Sequence, residues 1–164
     1  MPRAIFLATA LLALCPAGPV LATEQAKELF LDNGTERLLF GRPLESRFHG
    51  GERKPEILRP RSTACRRGYQ GTWEIRDGRL WLVALATCAA GEPIPLSRVF
   101  PGSRGPIPAD WYTGTLLVPL GEIIGTTGRP GFRKAVYERY RQIEIEQGKV
   151  VRERMLGEEA GGAE

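Results

Sequence analysis

Residues 65–88 read CRRGYQGTWEIRDGRLWLVALATC, two apolar-rich runs on either side of Asp77-Gly78. Both central residues of a type I′ turn need positive φ, which Gly adopts without strain and Asp tolerates. The spacing therefore predicts a two-residue hairpin. With Arg76 opposite Arg79, Ile75 faces Leu80, Trp73 faces Leu82, Gly71 faces Ala84 and Tyr69 faces Ala86, an apolar face throughout. The reverse face sets Gln70, Thr72 and Glu74 against Trp81, Val83 and Leu85, which is half polar and suited to partial cover. The same register puts Cys88 opposite Arg67 and Cys65 one diagonal step away, within disulfide reach once the strands twist.

Upstream, Met1 to Ala22 combines Arg3, an apolar run from Ile5 to Leu14, and the small-residue end Val20-Leu21-Ala22. This is the pattern of a secretory signal peptide over residues 1–22, with cleavage after Ala22. The run is too short to span a bilayer as a helix, so no transmembrane span is expected. Leu12-Ala13-Leu14-Cys15 resembles a lipobox, but Leu14 stands where that motif wants a small residue, so lipidation at Cys15 is the weaker alternative. Cleavage leaves about 140 residues, the usual size of one domain, expected over residues 23–156 with a flexible acidic tail at 157–164. The formal net charge of +4 loses one unit with Arg3, a balance too mild for a nucleic-acid surface. Cys65 and Cys88 then remain as an even pair in an oxidising compartment, so a bridge worth about 3 kcal/mol is expected, not a thiol nucleophile or a metal site. The protein is expected to be periplasmic or secreted.

Two further X-Gly turns punctuate the chain. Asn33-Gly34 separates Glu28–Leu31 from Glu36–Phe40 and predicts a hairpin, although Thr23–Leu31 also admits a short helix. Asn33-Gly34-Thr35 matches the short N-glycosylation pattern as well, but a turn explains the same residues and is the stronger reading. Gln147-Gly148 predicts a hairpin with Ile143, Ile145 and Val150 inward and Glu144, Glu146 and Glu153 on the wet face. A strand is expected from Trp111 to about Val118, with Pro119 marking an edge or bulge and Gly125–Gly131 a turn-rich break. Phe132–Tyr140 reads equally as helix or strand. Ala89–Asp110 reads as a wrap-around loop with one helical turn at Pro95–Val99.

Between Gly41 and Arg67, prolines and glycines break the periodicity, with one short strand expected at Leu44–Phe48. Arg47, Arg53, Lys54, Arg59 and Arg61 gather there as a candidate surface for an acidic partner, because Arg donors suit carboxylates. The ordinary alternative is a solvated loop. His49 is the only histidine, and its Gly-flanked polar setting offers no nucleophile or metal-ligand cluster. Trp81 and Trp111 form a second candidate binding region, on the aromatic side of the sheet.

Three hairpin turns and no long helical run imply a mainly β protein, antiparallel hairpins forming a small barrel or a compact sandwich, with long Pro/Gly-rich loops. Gly71-Thr72-Trp73 resembles the G-x-W signature of lipocalins and other calycin barrels, which implies a small apolar ligand inside a barrel. That signature belongs on a first strand, whereas a long mature segment precedes it here. The wider string is similar to a family of uncharacterised bacterial proteins: Cys65, Arg67-Gly68-Tyr69, Gly71-Thr72-Trp73-Glu74-Ile75, Asp77-Gly78 and Asp110-Trp111-Tyr112-Thr113-Gly114. It implies a bacterial domain and no particular activity.

Glu74 and Asp110 are acids without a recognisable acid–base partner, so catalysis is not favoured and no cofactor is implied. The expected function is an exported binding or interaction domain, an inhibitor or immunity-like module for an envelope or extracellular protein. A calycin-like carrier is the alternative.

Overall fold

The computed structural model describes residues 25–49, 52–60, 62–88, 90–129 and 133–162. The proposed signal peptide, Cys15 and Arg61 lie outside them. Six of the eight strands are set by the three hairpin turns. β1 (Glu28–Asp32) and β2 (Thr35–Leu39) turn at Asn33 and Gly34, φ 50° and 82°. β3 (Gln70–Arg76) and β4 (Arg79–Ala86) turn at Asp77 and Gly78, φ 50° and 67°. β7 (Lys134–Glu146) and β8 (Lys149–Leu156) turn at Gln147 and Gly148, φ 46° and 77°. β5 is the two-residue Ile107–Pro108, and β6 spans Gly114–Thr127.

The central hairpin keeps the expected register from Arg76↔Arg79 to Trp73↔Leu82 and then slips, to Thr72↔Ala84, Gly71↔Leu85 and Gln70↔Ala86. Val83 is the extra residue. A bulge reverses the parity of everything beyond it, so Leu85 is buried and Ala84 exposed, opposite to the expectation from strict alternation. β8 repeats the device. Ile145 pairs with Val150 but Glu144 with Arg152, leaving Val151 over and turning Glu153 to the inner face opposite Ile143. Glu153 there meets Arg141 at 2.9 Å, Arg141 meets Asp32 at 3.2 Å, and Asp32 meets Arg37 at 2.9 Å, a charged chain crossing from β8 to the β1–β2 hairpin.

The sheet is mixed, not wholly antiparallel. β1 runs parallel to β3, Phe30 beside Trp73, and the connection that parallel pairing demands is made by β2 and the 40–69 segment that follows it. That segment holds helix α1, Pro43–His49, where a strand was expected at Leu44–Phe48. Pro43 suits a first helical position, and Leu44 and Phe48 stand four apart, so both reach the core from one helix face. β6 starts after Trp111 and continues through Pro119 to Thr127, absorbing part of the supposed break, because it is a terminal strand of the sheet and tolerates proline there. Residues Lys134–Tyr140 are strand, since β6 supplies the ladder partner. Leu96–Arg98 is the expected helical turn, in 3-10 form.

The strand order is β2-β1-β3-β4-β8-β7-β6, with β5 beside β4. The eight strands do not close into a barrel. β4 touches β8 through Arg79↔Lys149 alone, and at the far corner Phe40 meets Leu117 as an isolated bridge. Between the halves Phe30, Trp73, Leu82, Leu116, Val118 and Ile143 fill the core. The acidic tail is not frayed over its described length: Glu158–Gly162 forms a 3-10 turn against β7, with Ala160 buried. Cys65 and Cys88 are disulfide-bonded, with Cα atoms 6.0 Å apart. Among the described residues, no helix is long and apolar enough to cross a membrane.

Candidate functional site

The cations expected to form a recognition surface are mostly answered by acids of their own segment. Arg47, on α1, has its Nε 2.8 Å from Glu52 Oε2, and its guanidinium lies 5.0 Å from the Phe100 ring and 5.1 Å from the Trp111 ring. Those rings stack at 5.5 Å, and Trp111 Nε1 donates to the Pro43 carbonyl at 2.9 Å, pinning the start of the helix. Lys54 Nζ donates to Glu45 Oε1 at 2.6 Å, and the Tyr69 hydroxyl donates to the same oxygen at 3.0 Å. Burial, with Glu28 and Glu45 nearby, holds the Tyr69 phenol well above its usual range. Arg59 pairs with Glu56 at 2.8 Å, both exposed. Arg53 is exposed and has no ion pair among the described residues. Among its described candidate cations, Arg47, Lys54 and Arg59 are thus neutralised at short range, whereas Arg53 is not.

Trp81 and Trp111 do not form one patch. Trp111 packs on the core beside Phe100, whereas Trp81 points to the opposite face of β4, across from Glu74 and Pro108. Its buried indole N–H finds no acceptor among the described residues. Of the candidate acids, Glu74 is tied to Arg76 at 2.6 Å and Asp110 to Arg79 at 2.5 Å. His49 is exposed, and no group of three metal-ligating side chains forms among the described residues.

One charged residue central to the structure was not singled out by sequence reasoning. Glu28 opens β1 and is fully buried, its Oε2 accepting from Gly71 N at 2.7 Å and from Trp73 Nε1 at 3.0 Å. Arg67 Nε faces Oε1 at 3.5 Å, while Arg67 also donates to the Ala26 carbonyl. Burial pushes the Glu28 carboxyl up to about 7, against the pull of Arg67 and the two hydrogen bonds. A Cβ at Gly71 would strike both Glu28 Oε2 and the Trp73 indole nitrogen. The Gly-x-Trp spacing is thus the seat of this carboxylate: Gly leaves it room and Trp gives it a donor. Enclosed on all sides, Glu28 braces β1 against β3 and offers no surface to a reactant.

Two features face outward on the β6–β7–β8 half. A recess of about 340 Å³ lies between Phe40, Leu117, Gln142, Leu156 and Ala160, on the side away from the core. β8 itself is exposed along most of its length, Val151 and Met155 by 51% and 54%. Compared with family models, curated proteins and solved structures, the chain matches none.

Proposed function

We propose that the mature chain is an exported binding domain for another protein of the cell envelope or extracellular space, in the manner of an inhibitor or immunity protein. The observation that carries this reading is the filled interior. Tyr69, Trp73, Leu82, Leu116 and Ile143 are all fully buried where a carrier would keep a chamber. One mixed sheet that does not close into a barrel suits a compact sandwich around this filled core, and the Cys65–Cys88 bridge suits an oxidising compartment. The likeness of the segments around Cys65–Gly78 and Asp110–Gly114 to a family of uncharacterised bacterial proteins supports a bacterial domain and names no activity. A second reading has one observation in its favour: the recess beside Phe40 and Leu117 suits a small, mainly apolar molecule with a polar group near Gln142 or Thr115.

The test is capture by the immobilised, oxidised mature chain from envelope extract of the organism that makes it, alongside native mass spectrometry of the protein isolated from that organism. A discrete protein eluted by salt, with a ligand-free native mass, is the expected result. A lipophilic adduct on the native protein, with no protein captured, would overturn the reading in favour of the carrier.

A further inference from the structure

Strand β8 gives one side to β7 and leaves the other open. β4 meets it at Arg79↔Lys149, and the Val150 N–H donates to the Gly78 carbonyl at 2.8 Å. Beyond Val150, no second described strand lies along it. An unpaired strand edge carries a row of backbone donors and acceptors and is a template for an added strand. The side chains on this edge are unevenly balanced. Arg152 and Arg154, 63% and 50% exposed, share the single carboxylate of Glu144, at 3.8 and 2.8 Å. Val151 and Met155 add apolar surface on either side of them.

Resting on the protein-binding reading above, we propose that β8 takes up an extended segment of the partner as an added strand, with acidic side chains at alternate positions facing Arg152 and Arg154. A second copy of this chain is the wrong occupant. A two-fold axis between antiparallel copies of β8 puts residues of equal parity opposite each other. Centred on Glu153, it sets Glu153 against itself and Arg152 against Arg154; centred on Arg152 or Arg154, it sets that arginine against its own copy. Each register centred on one of these three charged residues places like charges directly opposite, which destabilises strand pairing; one centred on Val151 falls on the bulged residue, and one centred on Met155 overlaps β8 only from Arg154 to Leu156. An acidic segment relieves the excess positive charge instead, and its backbone satisfies the edge.

The experiment uses the oxidised mature chain and two labelled probe peptides, a Glu-Val repeat and a Lys-Val repeat of about eight residues. Fluorescence anisotropy is expected to show the acidic peptide binding at least about ten-fold more tightly than the basic one, and weakening as salt rises. Amide exchange is expected to slow at Val151–Met155 when the acidic peptide is added. The charge-reversed variant R152E/R154E is expected to stay folded, at a somewhat lower thermal midpoint because position 152 lies directly opposite Glu144, and to invert the preference. No binding of the acidic peptide, equal binding of both peptides, unchanged preference in R152E/R154E, or binding without new protection on β8 would each overturn the proposal. So would protection of β8 in the free protein together with a dimeric mass, which would identify a second copy as the occupant. If envelope capture succeeds equally with wild type and R152E/R154E, the protein-binding reading stands and the β8 edge is discarded. If the acidic peptide binds β8 but envelope capture fails, the edge stands and the envelope-partner reading is the one that falls.

Discussion

Replacing Glu28 with Gln tests which force governs the buried carboxylate. Its surroundings pull in two directions: Arg67 and the donors at Gly71 and Trp73 favour the charged form, while complete burial opposes it. Burial prevails, raising the carboxyl from an ordinary 4.5 to about 7. A group whose folded pKa lies above its unfolded value binds protons more readily when folded, so it contributes stability that is fully present below about pH 4.5 and lost as pH rises to about 7. At 1.36 kcal/mol for each pH unit of difference, the loss is about 3 kcal/mol, or roughly 10 °C in thermal midpoint for a domain of this size. Gln copies the neutral carboxyl in shape and cannot ionise. Scanning calorimetry of the oxidised mature chain between pH 5 and 8 is therefore expected to show the wild-type midpoint falling with pH relative to Glu28→Gln. The variant is expected to be the more stable of the two at pH 8. Breaking a buried ion pair ordinarily destabilises, so the reverse is a sharp alternative: a Glu28→Gln protein less stable than wild type at pH 8, with a difference that grows with pH, would mean that Arg67 outweighs burial and the reasoning is wrong.

Other outcomes follow from the same geometry. Non-reducing peptide mapping is expected to find Cys65 linked to Cys88, and the paired change Cys65→Ala/Cys88→Ala to cost about 3 kcal/mol in denaturant titrations; two free thiols in protein from an oxidising compartment would contradict the bridge. Mass spectrometry of protein from its own host is expected to give an N-terminus near Thr23, and an intact Met1 on a cytoplasmic protein would refute export. Gly148→Ala is expected to destabilise by about 2 kcal/mol or more, because the position has φ 77° and a Cβ there would press on the Ala109 backbone; a midpoint within a degree of wild type would show that the hairpin end relaxes freely. Lys54→Glu is expected to lower stability, unlike Arg53→Glu, since only Lys54 is bound to Glu45 beside the buried Tyr69; equal midpoints for the two variants would show that this pair contributes nothing.

Local rules carried the reading furthest where turn chemistry and alternation agreed. Asn33-Gly34, Asp77-Gly78 and Gln147-Gly148 each demand positive φ at two successive residues, and few structures other than a hairpin use that. What escaped was non-local. The bulges at Val83 and Val151 carry no turn residue, so strict alternation assigned Leu85 and Glu153 to the wrong faces. The parallel pairing of β1 with β3 depends on a partner some forty residues away. Leu44 and Phe48 carry a four-residue helical spacing, but the surrounding prolines and glycines masked it. Glu28 was illegible for a different reason: an acid at the start of a strand normally faces water, and only the Gly71-Thr72-Trp73 string hinted that something occupies the space its glycine leaves. The basic segment was read correctly for charge and incompletely for pairing, because Glu45, Glu52 and Glu56 reach Lys54, Arg47 and Arg59 only after α1 and the turn at Glu56–Leu58 have formed.

The two corners at which the sheet halves meet, Arg79 with Lys149 and Phe40 with Leu117, each amount to one residue pair. Backbone cooperativity passes poorly through so narrow a junction, so the halves are joined chiefly by core side chains and by the Asp32–Arg141–Glu153 chain. Regions with few shared backbone bonds open as separate units. Native-state hydrogen exchange should then resolve two tiers of opening, with amides of β6–β8 released at lower free energy than those of β3 and β4, which the disulfide holds together even when the core parts. A partial opening of this kind would expose Leu116, Val118 and Ile143 while leaving the first half folded, and would set the protein's lifetime under proteolysis more directly than its global stability does.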